Sequence, residues 1–165
     1  MEDDFEIDEE IEDMKIIKCN SSDIPQLAVF NKQLIEDEHS DNPMSVPELE
    51  KRMDSFLNTE YDAYFFEEDK LIVGYALVKK SCSPLYLRQF FIGREYRKNH
   101  YGTKAFHALL EYLNVDSIDI EVLSGNEPGN RFWESLGFKE VSRYMRVQTF
   151  LYLKTGSKFG LRKVF

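Results

Sequence analysis

Residues 85–103 read LYLRQFFIGREYRKNHYGT, and the fold turns on how this stretch is divided. Leu85 to Ile92 is an apolar and aromatic run that suits a buried strand. A basic, polar loop follows, and Gly102-Thr103 then opens an apolar-periodic segment from Ala105 to Leu113. The order is strand, loop, helix. The first turn of a helix has backbone N–H groups without intrahelical partners and carries partial positive charge from the aligned peptide dipoles. A phosphate group satisfies both. Gly102 allows close backbone approach, and Arg94, Arg97, Lys98 and Lys104 raise the local positive potential, so the stretch reads as a pyrophosphate cradle. The plainer alternative is an ordinary strand-to-helix connection with a solvated basic face.

Two spaced motifs decide between these. Arg97-x-x-His100-x-Gly102 resembles the R/Q-x-x-G-x-G/A motif of the GNAT superfamily of acetyl-CoA-dependent N-acetyltransferases, with His100 in place of the first glycine. Downstream, Asn126-x-x-Gly129-x-x-Phe132-Trp133-Glu134-x-Leu136-Gly137-Phe138 resembles the family's N-x-x-A-x-x-F-Y-x-x-x-G-F segment. The resemblance covers roughly Lys15 to Phe138. It implies a single α/β domain with a mixed, mostly antiparallel sheet of six to seven strands, helices on both faces, and a parallel, splayed pair formed by strands four and five.

The resemblance also implies acetyl-CoA as co-substrate. Backbone groups near Phe90 and Ile92 would meet the pantetheine arm, and the pyrophosphate would take the segment Arg97, Lys98, Asn99, His100, Tyr101, Gly102 and Thr103. His100 is expected to keep a helical or extended backbone while still presenting its N–H. Asn126 matches the family asparagine before the last helix, and Arg131 is placed to reach a phosphate of the nucleotide. Trp133 stands where the family often has a tyrosine acid for the leaving thiolate. An indole has a donor but no useful acidity, so Tyr144 is the substitute candidate. Some family members carry a glutamate base early on strand four, where this chain has Tyr86. Glu38 and Glu121 are the candidate bases in its stead. Tyr86, Arg88 and Trp133 are expected on the acceptor side, with Arg88 suited to a carboxylate or phosphate. The expected activity is transfer of an acetyl group to a primary amine on a small molecule, by direct attack in a ternary complex. The alternative is a catalytically inactive CoA-binding regulatory or interaction domain.

The composition is that of a globular chain of 165 residues, 42% hydrophobic and 14% aromatic. Its net charge of −9 is localised, because residues 1–13 hold nine of the 30 carboxylates and no Lys or Arg, leaving 21 acids against 21 bases. That acidic tail is expected to be disordered, residues 14–154 to form the domain, and residues 155–165 to be a basic tail of unassigned role. A neutral body argues against nucleic-acid binding. No apolar run approaches a membrane span, and the acidic start differs from a secretion signal, so the expected location is the cytoplasm. Cys19 and Cys82 form no CxxC, and His39, His100 and His107 lack metal-ligand spacing, so no metal is expected. A monomer or a homodimer is equally compatible with the sequence.

The remaining elements follow from periodicity. Lys15–Cys19 reads as a first strand, and Ser21-Ser22-Asp23 as the cap of a helix running to about Glu38. A second helix starts at Ser45-Val46-Pro47-Glu48, a capping-box spacing. Between them lies the acidic connection Glu36 to Pro43, which the GNAT resemblance implies overhangs the acceptor end of the cleft, where its four carboxylates would attract a cation; the plainer alternative is a solvated charged loop. Tyr61–Phe66 and Leu71–Lys79 form a hairpin in which Gly74 marks a bulge or close approach. Ser117–Leu123 alternates as strand five, a short helix runs from about Gly129 to Leu136, and Phe138–Val147 and Thr149–Lys154 read as two further strands.

Overall fold

The computed structural model describes residues 14–147. The acidic segment 1–13, the strand expected at Thr149–Lys154 and the basic segment 155–165 lie outside the described residues. The chain order is β1 (Lys15–Lys18), α1 (Ile24–Asp37), α2 (Val46–Leu57), β2 (Tyr61–Glu68), β3 (Leu71–Lys79), β4 (Leu85–Ile92), α3 (Tyr101–Leu113), β5 (Ile118–Ile120) and α4 (Glu127–Ser135). The sheet has the order β1-β2-β3-β4-β5, with the first four strands antiparallel and β4 parallel to β5.

Local chemistry explains the helix boundaries. Asn20 caps a 3-10 turn at Ser21–Asp23 that leads into α1. Ser45 and Glu48 form the capping box of α2, with Pro47 in its first turn where the missing N–H costs nothing. Asn126 accepts from the Gly129 N–H at 3.1 Å to start α4, two residues earlier than periodicity suggests. Gly137, at φ +90°, then ends α4 as a C′ glycine.

Each face of the sheet carries its own core. One holds Phe66, Val73, Ala76, Leu87, Ile92, Ala105, Phe106 and Leu109 under α3 and α4. The other holds Leu27, Phe30, Met53, Phe65, Tyr75, Leu77 and Phe91 under α1 and α2. Strand β4 contributes to the two faces in an unexpected order. Leu85 and Leu87 share the α3 face with Phe90 and Ile92, although the two pairs differ in parity. A bulge causes the switch: Leu77 pairs with Gln89 and Val78 with Leu87, so Arg88 is the extra residue.

Gly74 marks a close approach. A Cβ there would stand 2.1 Å from the Phe91 carbonyl oxygen, while the nearby register shift between β2 and β3 leaves Val73 as the extra residue.

The sheet has five strands among the described residues, where six to seven were expected. Residues 138–147 form no strand. Their alternating apolar pattern marks extended chain, but a strand also needs a paired neighbour, and Val141, Tyr144, Met145 and Val147 remain exposed. β5 is shorter than the alternation in Ser117–Leu123 suggests, because its partner β4 turns away at the bulge. No helix among the described residues is long and apolar enough to cross a membrane.

Gly74→Ala should destabilise the domain by roughly 1–3 kcal/mol through overpacking against the β4 backbone. Chemical denaturation checks this: an unchanged midpoint would mean that the strands separate at no cost.

Candidate active site

The parallel pairing of β4 with β5 runs through Leu85↔Ile118, Tyr86↔Asp119 and Leu87↔Ile120, and ends there. Beyond it, β4 continues to Ile92 with β3 on one side and, among the described residues, no strand on the other. The bulged residue Arg88 stands at the parting point. A ligand with amide groups can therefore continue the ladder along the free edge of Arg88–Ile92.

At the far end of that edge lies the loop into α3. No side chain caps this helix, in contrast to α2 and α4. The first intrahelical bond at its start is Lys104 N–H to the His100 carbonyl, so the N–H groups of Tyr101, Gly102 and Thr103 precede the helical ladder. Lys98 and His100 both take left-handed backbone conformations, at φ +67° and +62°. This corrects the expectation of a helical or extended His100. The turn requires positive φ at the position where the family motif has glycine, and histidine tolerates the region better than branched residues do.

The basic residues of the loop are largely engaged. Arg94 donates to Asp37 at 2.9 Å and to Glu36 at 2.9 Å. Arg97 pairs with the other oxygen of Asp37, donates through Nε to the Ile92 carbonyl at 2.9 Å, and lies 5.2 Å from the Phe91 ring centroid. Lys104 is held at 2.8 Å by Glu68, a buried residue whose second carboxylate oxygen has no hydrogen-bond partner. Burial acts to raise Asp37, but the hydrogen bonds from Arg94 and Arg97 outweigh it and hold the carboxyl below its ordinary value. Two of the four carboxylates expected to attract a cation, Glu36 and Asp37, thus anchor the loop instead.

Gly102 faces protein as well as the open end of α3. A Cβ there would meet the Phe132 ring at 3.2 Å. Phe132 stacks on Phe90 at 6.0 Å, and Trp133 meets Phe90, Phe106 and Phe138 edge-on at 5.2, 5.5 and 5.2 Å. Trp133 therefore lies in the α3–α4 core cluster, on the opposite face from Arg88. Asn126 spends its side-chain oxygen on capping α4, Arg131 is exposed beside Glu127 at 3.6 Å, and Asn99 is exposed in the loop. Tyr144 is 79% exposed and accepts a bond from Arg146 at 3.4 Å. Among the described residues, no hydrogen bond ties it to the residues around the cleft.

The α1–α2 face of the parting point is polar and largely buried. Tyr75 donates its hydroxyl to Gln89 at 2.9 Å, and both residues are buried, with Asn31 beside the same hydroxyl. Glu38, at the end of α1, is half-buried, and its carboxyl is pushed above the ordinary value by burial and by the neighbouring Asp37 charge. Tyr86 donates to Glu121 at 3.3 Å across the parting strands. Burial first, then the Glu121 charge, pushes the Tyr86 phenol up. Arg88 donates to the Tyr61 hydroxyl at 3.4 Å and lies 5.0 Å from the Phe56 centroid.

Residue reading alone missed Asn31, Arg52, Tyr75 and Gln89. A signal existed for two of them. Asn31 falls four residues after Leu27 and three before Leu34, inside an apolar stripe, and Gln89 interrupts the run from Leu87 to Ile92.

In sequence, residues 21–154 match the model of the family described as the acetyltransferase (GNAT) domain. The chain belongs to the GNAT family. None of the curated proteins compared with it matches in sequence. Among solved structures, a possible acetyltransferase from Clostridium difficile 630 superposes with a TM-score of 0.69 at 16% identity, covering 83% of this chain and 97% of that one. The aminoglycoside N-acetyltransferase AAC(6')-Iy in complex with CoA gives 0.65 at 14% identity, over 82% and 93%. A predicted acetyltransferase from Clostridium acetobutylicum with acetyl-CoA gives 0.61 at 16% identity, over 84% and 97%. At these identities the likeness is one of fold.

His100→Gly should raise stability by about 1 kcal/mol by relieving the left-handed conformation, and His100→Val should lower it by at least as much. Thermal denaturation of the two variants decides. Equal effects would mean that the loop does not hold position 100 at positive φ.

Proposed function

We propose that this GNAT domain transfers the acetyl group of acetyl-CoA to a primary amine on a small molecule, by direct attack in a ternary complex. The observation that carries this reading is the parting of β4 and β5 at the Arg88 bulge, with an uncapped helix start beyond the free edge of β4. The residues present fit the co-substrate: Arg88 to Ile92 offer unpaired backbone along one side, and the segment from Lys98 to Thr103 offers successive N–H groups around two left-handed residues. When bound, acetyl-CoA supplies an acetyl group activated as a thioester. Because Arg94, Arg97 and Lys104 are paired, this chain relies chiefly on its backbone to hold the phosphates, and Arg97 acts by fixing the loop to Asp37 and to the Ile92 carbonyl.

The acceptor enters from the α1–α2 side. An alkyl ammonium has a pKa near 10.4, so attack needs a group to take its proton. Glu38 is the favoured base, since its half-buried carboxyl holds a proton more tightly than an exposed one. Tyr86 retains its proton at neutral pH and so can donate it at the parting point, while Glu121 orients that phenol. A second reading makes Glu121 the base, favoured by its place beside the opening. Positioning of the two reactants is expected to supply most of the acceleration.

Two measurements test these assignments. Arg97→Ala should weaken CoA and a pantetheine fragment lacking the nucleotide to the same degree, as calorimetry would show; a loss confined to CoA would place Arg97 on the phosphates. The acid limb of the rate should lie above pH 4.5, because Glu38 serves as a base only when deprotonated and its pKa is raised. Glu38→Gln should then lower kcat by roughly 100-fold or more and remove that limb. Persistence of the limb in Glu38→Gln, with its loss in Glu121→Gln, would transfer the role to Glu121.

A further inference from the structure

Two arginines on the acceptor side lack a carboxylate partner among the described residues, as does Arg146, which lies against Tyr144 instead. Arg94, Arg97, Arg131 and Arg143 each have a carboxylate within 4.0 Å. Arg52 and Arg88 have none among the described residues. They nevertheless share one aromatic ring: their guanidinium carbons lie 5.2 and 5.0 Å from the Phe56 centroid. The ring, the Tyr61 hydroxyl and the Met44 sulfur, 3.8 Å from Arg52, hold the guanidinium groups without neutralising them.

The arrangement has a specific origin. Arg52 lies four residues before Phe56 on α2, so one helical turn aligns them. Arg88 is the residue extruded by the β4 bulge, at the mouth of the β4–β5 gap. Two like charges brought together from separate elements repel each other, and burial followed by the Arg88 charge lowers the pKa of Arg52. An arriving anion would remove that repulsion, and guanidinium groups match the oxyanions of carboxylate and phosphate.

The surroundings specify more than an anion. The buried Tyr75 hydroxyl lies within electrostatic reach of both charges, Arg52 acting to lower its pKa and Glu38 to raise it. Asn31, Tyr75 and Gln89 form a buried, neutral polar cluster joined by hydrogen bonds on the same hydroxyl. A molecule with an amine at one end and an oxyanion at the other complements this layout, whereas a polycation meets two uncompensated arginines.

We propose that Arg52 and Arg88 form an oxyanion-binding pair that selects acceptors carrying a carboxylate or phosphate beside the reacting amine. The proposal rests on the acetyltransferase reading for its catalytic consequence but not for the binding itself, and the test separates the two. In the full chain, kcat/KM should be compared across amino acids, their carboxamides, phosphorylated amines and an aminoglycoside. Anionic acceptors should exceed their neutral counterparts roughly ten- to a hundredfold; Arg52→Met should erase that preference with CoA affinity unchanged, and Arg88→Met should erase it as well. The carboxylate and phosphate arms identify which oxyanion is read. Independently of turnover, inorganic phosphate added to the chain in saturating CoA should raise the melting temperature of the wild type more than that of either variant. Equal rates for neutral and anionic acceptors, preference for the aminoglycoside, or an equal phosphate effect in wild type and variants would overturn the pair. Absence of both CoA binding and turnover, with the phosphate difference intact, would overturn the transferase reading and leave the anion site standing.

Discussion

The site depends on one irregularity, the extra residue that β4 inserts at Arg88. A regular strand would keep pairing with β5 to the end and would send Leu87 and Phe91 to the same face. The bulge instead breaks the parallel ladder after Leu87, frees one edge of β4, and turns Phe90 and Ile92 toward α3. The same insertion pushes Arg88 outward to Phe56 and Tyr61. An opening, an unpaired backbone and a cation at the mouth thus share one cause.

The second constraint is the loop between β4 and α3, where sequence chemistry and structure diverge. Four cations near a helix start suggest a phosphate site built from side chains. Three of them are paired with carboxylates of this chain, and what remains open is backbone, held in shape by two left-handed residues. The Arg side chains set where the N–H groups stand. Such a cradle changes shape little when an anion arrives, since its donors are already oriented.

The strand–loop–helix unit, the capping box of α2, the hairpin and the two GNAT motifs were legible because each rests on neighbours in sequence. Ser45 and Glu48 are three residues apart, and the apolar face of α3 repeats within one helix. The bulge was not legible, because LYLRQFFI contains no glycine or proline to mark it and alternation alone puts Leu85, Leu87 and Phe91 on one face. The Asp37 clamp was hidden for a different reason: its partner Arg97 lies 60 residues away and nothing local announces the contact. The pairing of Arg52 with Arg88 is of the same kind. Among the described residues the sheet has five strands, because alternation in Phe138–Val147 reports extended backbone without reporting a partner.

Glu38 follows Asp37 directly at the end of α1. The first is half-buried within electrostatic reach of Tyr75, and the second holds the loop that leads to α3. Consecutive residues advance a helix by only about 1.5 Å. The end of α1 is therefore a ruler with two marks, one toward the Tyr75 face and one toward the β4–α3 loop, and the spacing between them is set by covalent geometry. A displacement of the loop that tightened or loosened one binding half would carry the other with it, so the two halves of the cleft keep a common frame of reference even though no side chain spans them.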